Sequence, residues 1–286
     1  MMRLLRRKRP PRKLGLALSG GGARGLAHIG VLKVLEREGV PIHFLAGTSM
    51  GGLIAAGYAA GLSPDELEGE ALRLSSPRQL IALLDRGFPR RGLLAGQKVM
   101  DYLAQRLGDV TFDQLRVPLA LIAVDLNKGD KVVLREGSVL EAVRATVALP
   151  GIFAPVERGD QLLVDGGLLD NLPADAVRQM GADRVVAVDI STDEKAIAFF
   201  AEELHRRRFV PEGLVDLMDI LWRSVAVMTR EVNRRNLEEA QPDLLICPPI
   251  PSGVTVFTGF TRAAEIIAAG EQGAQEALSS LKELLK

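Results

Sequence analysis

The stretch Phe44-Leu45-Ala46-Gly47-Thr48-Ser49-Met50-Gly51-Gly52 places a serine between two glycines, where a strand-like apolar run gives way to a helix-like one. A strand, a tight turn and a helix around Gly-x-Ser-x-Gly are typical of a nucleophile elbow, in which the serine Oγ projects above a sheet edge. Gly47 and Gly51 are needed in such an elbow because side chains there would collide across the turn. The alternative is a loop that caps a helix, and the rest of the chain decides between the two.

A second glycine-rich turn precedes the elbow and has the same strand-turn-helix pattern. Apolar residues 14–19 lead into Gly20-Gly21-Gly22-Ala23-Arg24-Gly25, and residues 26–38 have a helical pattern. A dinucleotide fingerprint needs an acidic residue at the end of the next strand, and a phosphate-binding P-loop needs Lys and then Ser or Thr after Gly25. The chain has neither. The turn therefore favours an oxyanion hole built from backbone N–H groups.

Two consecutive βα units predict neighbouring parallel strands, with the glycine turn and Ser49 at the same carboxyl edge of the sheet. Further strands are predicted at residues 118–124, 131–134, 161–164, 184–189 and 243–247. Asp165-Gly166-Gly167 ends one of them, and nothing in this pattern crowds the Asp165 carboxylate. The chain thus has the pattern of an α/β domain.

Length and composition agree with this fold class. The 286 residues are 47% hydrophobic and 25% charged, which is typical of a folded globular protein. The single cysteine, Cys247, excludes an intrachain disulfide framework and favours a reducing compartment. No uninterrupted apolar stretch approaches the roughly 20 residues that span a bilayer. The composition therefore predicts a soluble, cytoplasmic protein, with peripheral contact at the inner membrane face as a less favoured addition.

The formal net charge of zero conceals a basic N-terminus. Residues 1–13 hold seven Lys and Arg residues and no acidic residue, so the remainder of the chain is acidic overall. A disordered solubilising arm is favoured over a patch that attracts anionic lipid headgroups. Nucleic-acid binding is disfavoured because the basic run is short and poor in aromatic residues.

With the glycine turn, the Ser49 elbow and Asp165-Gly166-Gly167 in this order, the sequence resembles the bacterial patatin-like phospholipases. Residues 145–155 are similar to a further block of that family, although Thr146 stands where a serine is more usual. The resemblance covers residues 14–189 firmly and the remainder loosely. It implies a three-layer α/β/α fold with a mostly parallel central sheet. It also implies hydrolysis of lipid acyl esters by a serine–aspartate dyad, without metal or cofactor.

Carried over by matching position, Ser49 is the expected nucleophile and Asp165 its base. The expected oxyanion hole comprises Gly20, Gly21, Gly22, Ala23 and Arg24. The glycines expected to support the elbow and the dyad are Gly47, Gly51, Gly166 and Gly167. The positions of the histidines agree with a dyad. A catalytic triad in the order Ser, Asp, His needs a histidine after Asp165, and only His205 follows it. His205 lies in a charged stretch that is typical of a solvated helix face. His28 and His43 favour packing or capping over catalysis.

The predicted organisation is a basic tail over residues 1–13 and a single catalytic domain over residues 14–286. Residues 194–240 form a candidate helical cover, whose apolar positions favour packing against the core over a movable lid. Those positions are Leu217, Ile220, Leu221, Val225 and Met228. Two other functions stay open: an acyl transferase on the same fold, which the few histidines argue against, and a non-catalytic lipid-binding or regulatory module.

Overall fold

One mixed sheet of eight strands forms the centre of the computed structural model, which describes residues 12–82, 96–191, 212–256 and 258–286. The strands are β1 (Leu14–Leu18), β2 (Phe44–Thr48), β3 (Leu119–Asp125), β4 (Asp130–Leu134), β5 (Val156–Arg158), β6 (Gln161–Asp165), β7 (Arg184–Val188) and β8 (Leu244–Ile246). Every residue of β1 and β3 is buried. Strands buried on both faces need helices on both sides of the sheet.

Parallel pairing dominates the sheet, as predicted. Hydrogen-bonded neighbours follow the order β5-β6-β3-β2-β1-β7-β8, and β4 also pairs with β3. The β1–β2, β1–β7, β2–β3 and β7–β8 pairs are parallel, whereas β4 and β6 pair with β3 in the antiparallel sense and β5 pairs with β6 likewise. The carboxyl ends of β1 and β2 therefore lie side by side at one edge of the sheet.

Helices cover the two faces of this sheet. They are α1 (Ala27–Arg37), α2 (Ser49–Ala60), α3 (Pro64–Leu74), α4 (Pro77–Ala82), α5 (Gln97–Leu107), α6 (Val139–Thr146), α7 (Ala174–Gln179), α8 (Glu212–Ala240) and α9 (Ala263–Leu284). Alternate strand residues belong to two separate apolar clusters: Leu16 and Leu18 pack with residues of α1, α2 and α9, whereas Ala17 packs with α7. This is the predicted three-layer α/β/α arrangement.

Two elements differ from the sequence-based expectation. Strand β5, which begins at Val156 and forms a hairpin with β6, is not among the predicted strands. Arg12 and Lys13 were assigned to the disordered tail, yet the Arg12 guanidinium donates to the Leu284 carbonyl and the Lys13 carbonyl accepts from the N–H of Asp183. The remainder of the tail and His205 lie outside the described residues.

The expected packing of α8 against the core is wrong for four of the five apolar positions. Ile220, Leu221, Val225 and Met228 are exposed to solvent, and the side chain of Leu217 lies outside the described part. Spacing identifies an apolar face on a helix but does not specify what that face contacts. Leu237 and Ala240, near the end of α8, pack on the cluster beside α7 instead. None of the described helices is long and apolar enough to cross a membrane.

The contact between α1 and α9 brings their backbones close together. A Cβ atom added at Gly30 of α1 would collide with the carbonyl oxygen of Ile267, and one added at Gly270 of α9 would collide with the carbonyl oxygen of Ala27. Glycine at both positions lets the helices approach without intervening side chains. The layer behind β1 and the glycine turn depends on this approach.

We expect Gly270→Ala to lower the free energy of unfolding by about 1–3 kcal/mol, because the added methyl group must displace the backbone of α1. Gly69→Ala is the matched control, since Gly69 is exposed in α3 with nothing within 4 Å of an added Cβ. Helix propensity predicts that this control gains up to about 1 kcal/mol. Urea denaturation measures both variants, and an unchanged or higher stability of Gly270→Ala would contradict the packing argument.

Candidate active site

Strand β3 brings the ends of β2 and β6 together. Leu121 pairs with both β2 and β4, and Ala123 pairs with both β4 and β6, so β2 and β6 lie on the same edge of β3. Thr48, the last residue of β2, is opposite Ile122, and Asp165, the last residue of β6, is opposite Ala123. Because β2 is parallel and β6 antiparallel to β3, the two strands run toward each other and end at adjacent positions.

Ser49 follows β2 directly and has the backbone conformation of an elbow. Its φ of 52° is left-handed, which costs a non-glycine residue about 1–3 kcal/mol and is found mainly at functional sites. A Cβ added at Gly47 would lie 2.6 Å from the Cα of Gly52, and one added at Gly51 would lie 2.5 Å from the carbonyl oxygen of Ser19. The turn therefore has room for glycine only at these two positions.

Thr146 at the end of α6 holds the elbow in place. The Ser49 N–H donates to Thr146 Oγ1 at 2.9 Å, and the same hydroxyl donates to the carbonyl of Ile122 at 2.5 Å. Thr146 is fully buried, so water cannot replace either contact. In the sequence, Thr146 stood out only because the family usually has a serine there. Serine and threonine both carry the hydroxyl group that makes these two contacts.

The carboxylate of Asp165 is buried beside this elbow. Asp165 is 3% exposed, and burial raises its pKa from 3.8 to about 6. Interaction with the Ser49 side chain opposes that rise, as does a 2.8 Å hydrogen bond from the Gly167 N–H to Oδ1. A Cβ added at Gly166 would lie 2.5 Å from the Ile122 carbonyl oxygen, so the turn after β6 packs directly on β3. The arrangement places a buried carboxylate with a raised pKa beside the serine of the elbow.

Asn171 connects the glycine turn to the turn that follows Asp165. Its carbonyl accepts the Gly20 N–H at 3.0 Å, and its side-chain amide donates to the Gly20 carbonyl at 3.2 Å. A Cβ at Gly20 would be only 3.1 Å from the Cβ of Ser49. The glycine turn therefore lies against the elbow, held there by a residue that the sequence did not identify. The sequence feature that could have identified Asn171 is its position six residues after Asp165.

The five residues predicted to form the oxyanion hole differ in whether their N–H groups already donate a hydrogen bond. Within the described ranges, the N–H groups of Gly21 and Gly22 donate no hydrogen bond, and both residues are half-buried. The other three N–H groups are engaged: Gly20 donates to Asn171, Ala23 to Val256 and Arg24 to Gly21. A Cβ at Gly22, whose φ is 54°, would collide with the carbonyl of Val256. Contacts with Asn171 and Val256 therefore hold the turn in place, and the N–H groups of Gly21 and Gly22 are the candidate oxyanion donors.

The guanidinium of Arg24 ties the glycine turn to neighbouring backbone segments. It donates to the carbonyls of Ile190 at 2.8 Å, Ser191 at 3.1 Å and Val254 at 3.3 Å. These three acceptors are backbone carbonyls of the segments that follow β7 and β8. Arg24 therefore fixes the glycine turn between two loops.

Histidine takes no part in the Ser49–Asp165 contact within the part of the chain that the structure describes. His28 is fully buried, its Nε2 lies 2.8 Å from the Ser19 carbonyl oxygen, and burial lowers its pKa to about 4. His43 Nδ1 accepts the N–H of Leu14 at 3.0 Å. Both rings satisfy backbone groups next to β1, in agreement with the packing role expected for them.

An ion pair between a buried aspartate and a partly exposed lysine supports the turn after Asp165. Asp170 is buried, and its Oδ2 lies 2.9 Å from the Nζ of Lys131 on β4, which also contacts Asp175 at 2.8 Å. Burial raises the pKa of Asp170 to about 6, and the charge of Lys131 opposes that shift. The Asp170 carbonyl accepts from Thr48 Oγ1 at 2.8 Å. The same residue therefore joins the end of β2 to the segment that carries Asp165.

The chain is similar in sequence and fold to known proteins. A family model described as patatin-like phospholipase matches residues 16–178. An uncharacterized NTE family protein of Mycobacterium tuberculosis is 38% identical over 190 residues, which cover 66% of this chain and 52% of that protein. The patatin-like phospholipase domain-containing protein 6 of Mus musculus is 35% identical over 196 residues, covering 67% of this chain and 14% of that protein.

VipD from Legionella pneumophila has a similar fold, with a TM-score of 0.50 at 14% identity over 95% of this chain and 67% of that chain. This chain spans about half the length of the mycobacterial relative and a smaller share of the mouse protein. The family match starts within β1 and ends within α7, more than half of the chain. It contains the glycine turn, the Ser49 elbow and the strand that ends at Asp165, and the chain belongs to the patatin-like phospholipase family.

Proposed function

We propose that this chain hydrolyses fatty-acyl ester bonds of phospholipids, lysophospholipids or related lipids, with Ser49 as the nucleophile and Asp165 as its general base. The observation that carries the proposal is the meeting of Ser49 and Asp165 at the ends of two strands on one edge of β3, where the carboxylate is 3% exposed and burial raises its pKa to about 6. A base is most effective when its pKa is near the working pH. Membership of the patatin-like phospholipase family supports the lipid ester as substrate.

In the proposed acylation step, ionised Asp165 accepts the proton of the Ser49 hydroxyl while Oγ attacks the ester carbonyl carbon. The carbonyl oxygen becomes an oxyanion, which the N–H groups of Gly21 and Gly22 stabilise. Ser49 begins α2, so the positive end of that helix dipole favours the same negative charge. The tetrahedral intermediate then collapses, and the departing alcohol takes the proton from Asp165.

Deacylation repeats this chemistry with water as the nucleophile. Ionised Asp165 accepts a proton from a water molecule, whose oxygen attacks the carbonyl carbon of the acyl-Ser49 ester. The oxyanion again lies on the Gly21 and Gly22 amides, and its collapse releases the fatty acid while Ser49 regains the proton from Asp165. An acyl transferase would use an acceptor alcohol in place of this water, with the same residues in the same roles.

We expect Ser49→Ala and Asp165→Asn each to lower the hydrolysis of a p-nitrophenyl acyl ester by at least about 10³-fold, because each removes a member of a unit that acts together. His205→Ala is the control and should retain the parent rate. Circular dichroism confirms that the variants are folded. Full activity in either dyad variant would refute the assignment.

Fluorophosphonate labelling separates the alternatives in the same experiment. The parent protein should label at Ser49, and Ser49→Ala should not. A parent chain that neither labels nor hydrolyses would indicate a non-catalytic lipid-binding module. Acyl transfer to an added alcohol, at the expense of free fatty acid, would indicate a transferase.

The pKa of Asp165 predicts the acid limb of the pH profile. A general base works in its ionised form, so kcat/KM on a substrate without titratable groups should rise about tenfold per pH unit below about 6 and level off above it. The rate falls on the acid side because the Asp165 carboxyl is then protonated and cannot accept the serine proton. A profile that is flat across pH 6 would contradict Asp165 as the base.

Thr146 should act as a positioning residue for the nucleophile. Thr146→Val keeps the shape of the side chain but leaves the Ser49 N–H and the Ile122 carbonyl without their partner, so we expect kcat to fall about 10–100-fold with little change in KM. Thr146→Ser retains the hydroxyl and should restore most of kcat.

The rate of fluorophosphonate labelling at Ser49 should fall with kcat in Thr146→Val, whereas a merely structural role would move only the thermal unfolding midpoint. Parent-like labelling and turnover in Thr146→Val would show that the elbow keeps its geometry without this hydroxyl.

A further inference from the structure

Helix α8 presents an apolar face to solvent. Ile220 is 62% exposed, Leu221 51%, Val225 38%, Val227 69% and Met228 67%. At 100° per residue these five side chains occupy one arc of about 160° around the helix axis. We call them the outer face of α8. The other exposed large apolar side chains of the described residues, Leu72, Leu126 and Leu245, lie on three different elements.

The opposite side of α8 faces the body of the protein. Ala226 and Thr229 are half-buried, and Leu237 and Ala240 pack on the cluster beside α7. An amphipathic helix ordinarily buries its apolar stripe and exposes its polar one. The described side chains of residues 220–228 have the reverse orientation, and a clustered apolar surface of this kind marks a contact with another apolar partner.

The same helix is attached to the turn that carries the candidate site. The Asn233 side chain accepts the N–H of Asn171 at 2.8 Å, and the Asn236 side chain donates to the carbonyl of Leu169 at 2.6 Å. Met228 precedes Asn233 by five residues, which is about 7.5 Å along a helix. The outer face therefore begins close to the segment that runs from Asp165 to Asn171.

We propose that the outer face of α8 rests in the surface of a phospholipid bilayer and holds the candidate active site against the lipid; this inference rests on the proposed function. Helices that lie in a membrane surface insert an apolar face by about 5–10 Å, which requires only a shallow strip of side chains such as this one. Arg223 and Arg230, one turn before and after Val227, are exposed and lie about 40° and 60° beyond Val227 around the helix axis. Long basic side chains at these positions suit lipid phosphates above the inserted face.

A second copy of the chain is the competing occupant. A stable protein–protein interface buries about 800 Å² on each partner, and five partly exposed aliphatic side chains on one helix offer less than that. A bilayer has no such requirement, because each side chain that enters the acyl region contributes separately. The lipid surface is therefore the favoured partner.

The test uses the full chain and a variant that combines Ile220→Gln, Leu221→Gln, Val227→Gln and Met228→Gln. Glutamine is a good helix former, and these side chains are mostly exposed, so the fold should be kept. Partitioning is measured by co-sedimentation with phosphatidylcholine vesicles and with vesicles that also contain phosphatidylglycerol. We expect at least about a tenfold weaker partition coefficient for the variant with both kinds of vesicle.

Leu126→Gln is the matched control, because Leu126 is 47% exposed but lies in the turn after β3. It should bind vesicles as the parent does. All three proteins should hydrolyse a soluble p-nitrophenyl butyrate equally, since none of these residues belongs to the proposed catalytic machinery. A parent that binds vesicles through this face but hydrolyses no ester would refute the proposed function and leave the docking surface standing.

Two results would overturn the docking proposal. One is parent-like vesicle binding by the fourfold variant, or binding that needs phosphatidylglycerol and disappears in high salt, since charge alone would then account for it. The other is a change of oligomeric state in light scattering, from a dimeric parent to a monomeric variant, with vesicle binding unaltered. In that case the outer face joins two copies of the chain.

Discussion

Burial of the Asp165 carboxylate, at the point where two strands meet on one edge of β3, is the constraint on which the candidate site depends. A shift of its pKa from 3.8 to about 6 corresponds to roughly 3 kcal/mol. Because the folded form holds the proton more tightly than the unfolded form, stability falls as the pH rises from about 4 to about 6, and the full cost persists above that range. The apolar packing on both faces of the sheet must offset it.

Several polar contacts keep this arrangement fixed, and each comes from a different part of the fold. Thr146 reaches the elbow from α6, Asn171 holds the glycine turn from the segment after β6, and Lys131 on β4 pairs with the buried Asp170. Hydrogen bonds in a buried site cost no reorganisation when charge develops during a reaction. These contacts fix the candidate site in the fold, and within the described residues the N–H groups of Gly21 and Gly22 are those of the glycine turn that donate no hydrogen bond.

Helix α8 contacts the candidate site at one end and exposes an apolar face to solvent. Near its C-terminal end two asparagine side chains join it to the turn after Asp165, whereas the apolar side chains between residues 220 and 228 point to solvent. One helix therefore contacts the candidate site with polar side chains and exposes an apolar face. If the proposed function and the proposed docking surface both hold, the same helix connects lipid binding to the chemistry.

Local patterns specified much of this molecule. Apolar runs, glycine turns and helical spacing located seven of the strands of the described sheet, the parallel βα units and the elbow at Ser49, because each of these is encoded within a few neighbouring residues. The order of the three motifs indicated the family. Tertiary structure decided what depends on residues distant in the chain. Strand β3 pairs with three strands and so brings Asp165 to Ser49, and backbone contacts engage the N–H groups of Gly20 and Ala23 but, among the described residues, not those of Gly21 and Gly22. Tertiary structure also decided which way the apolar face of α8 points. A helical repeat defines such a face, but only the elements packed around the helix determine whether it is buried.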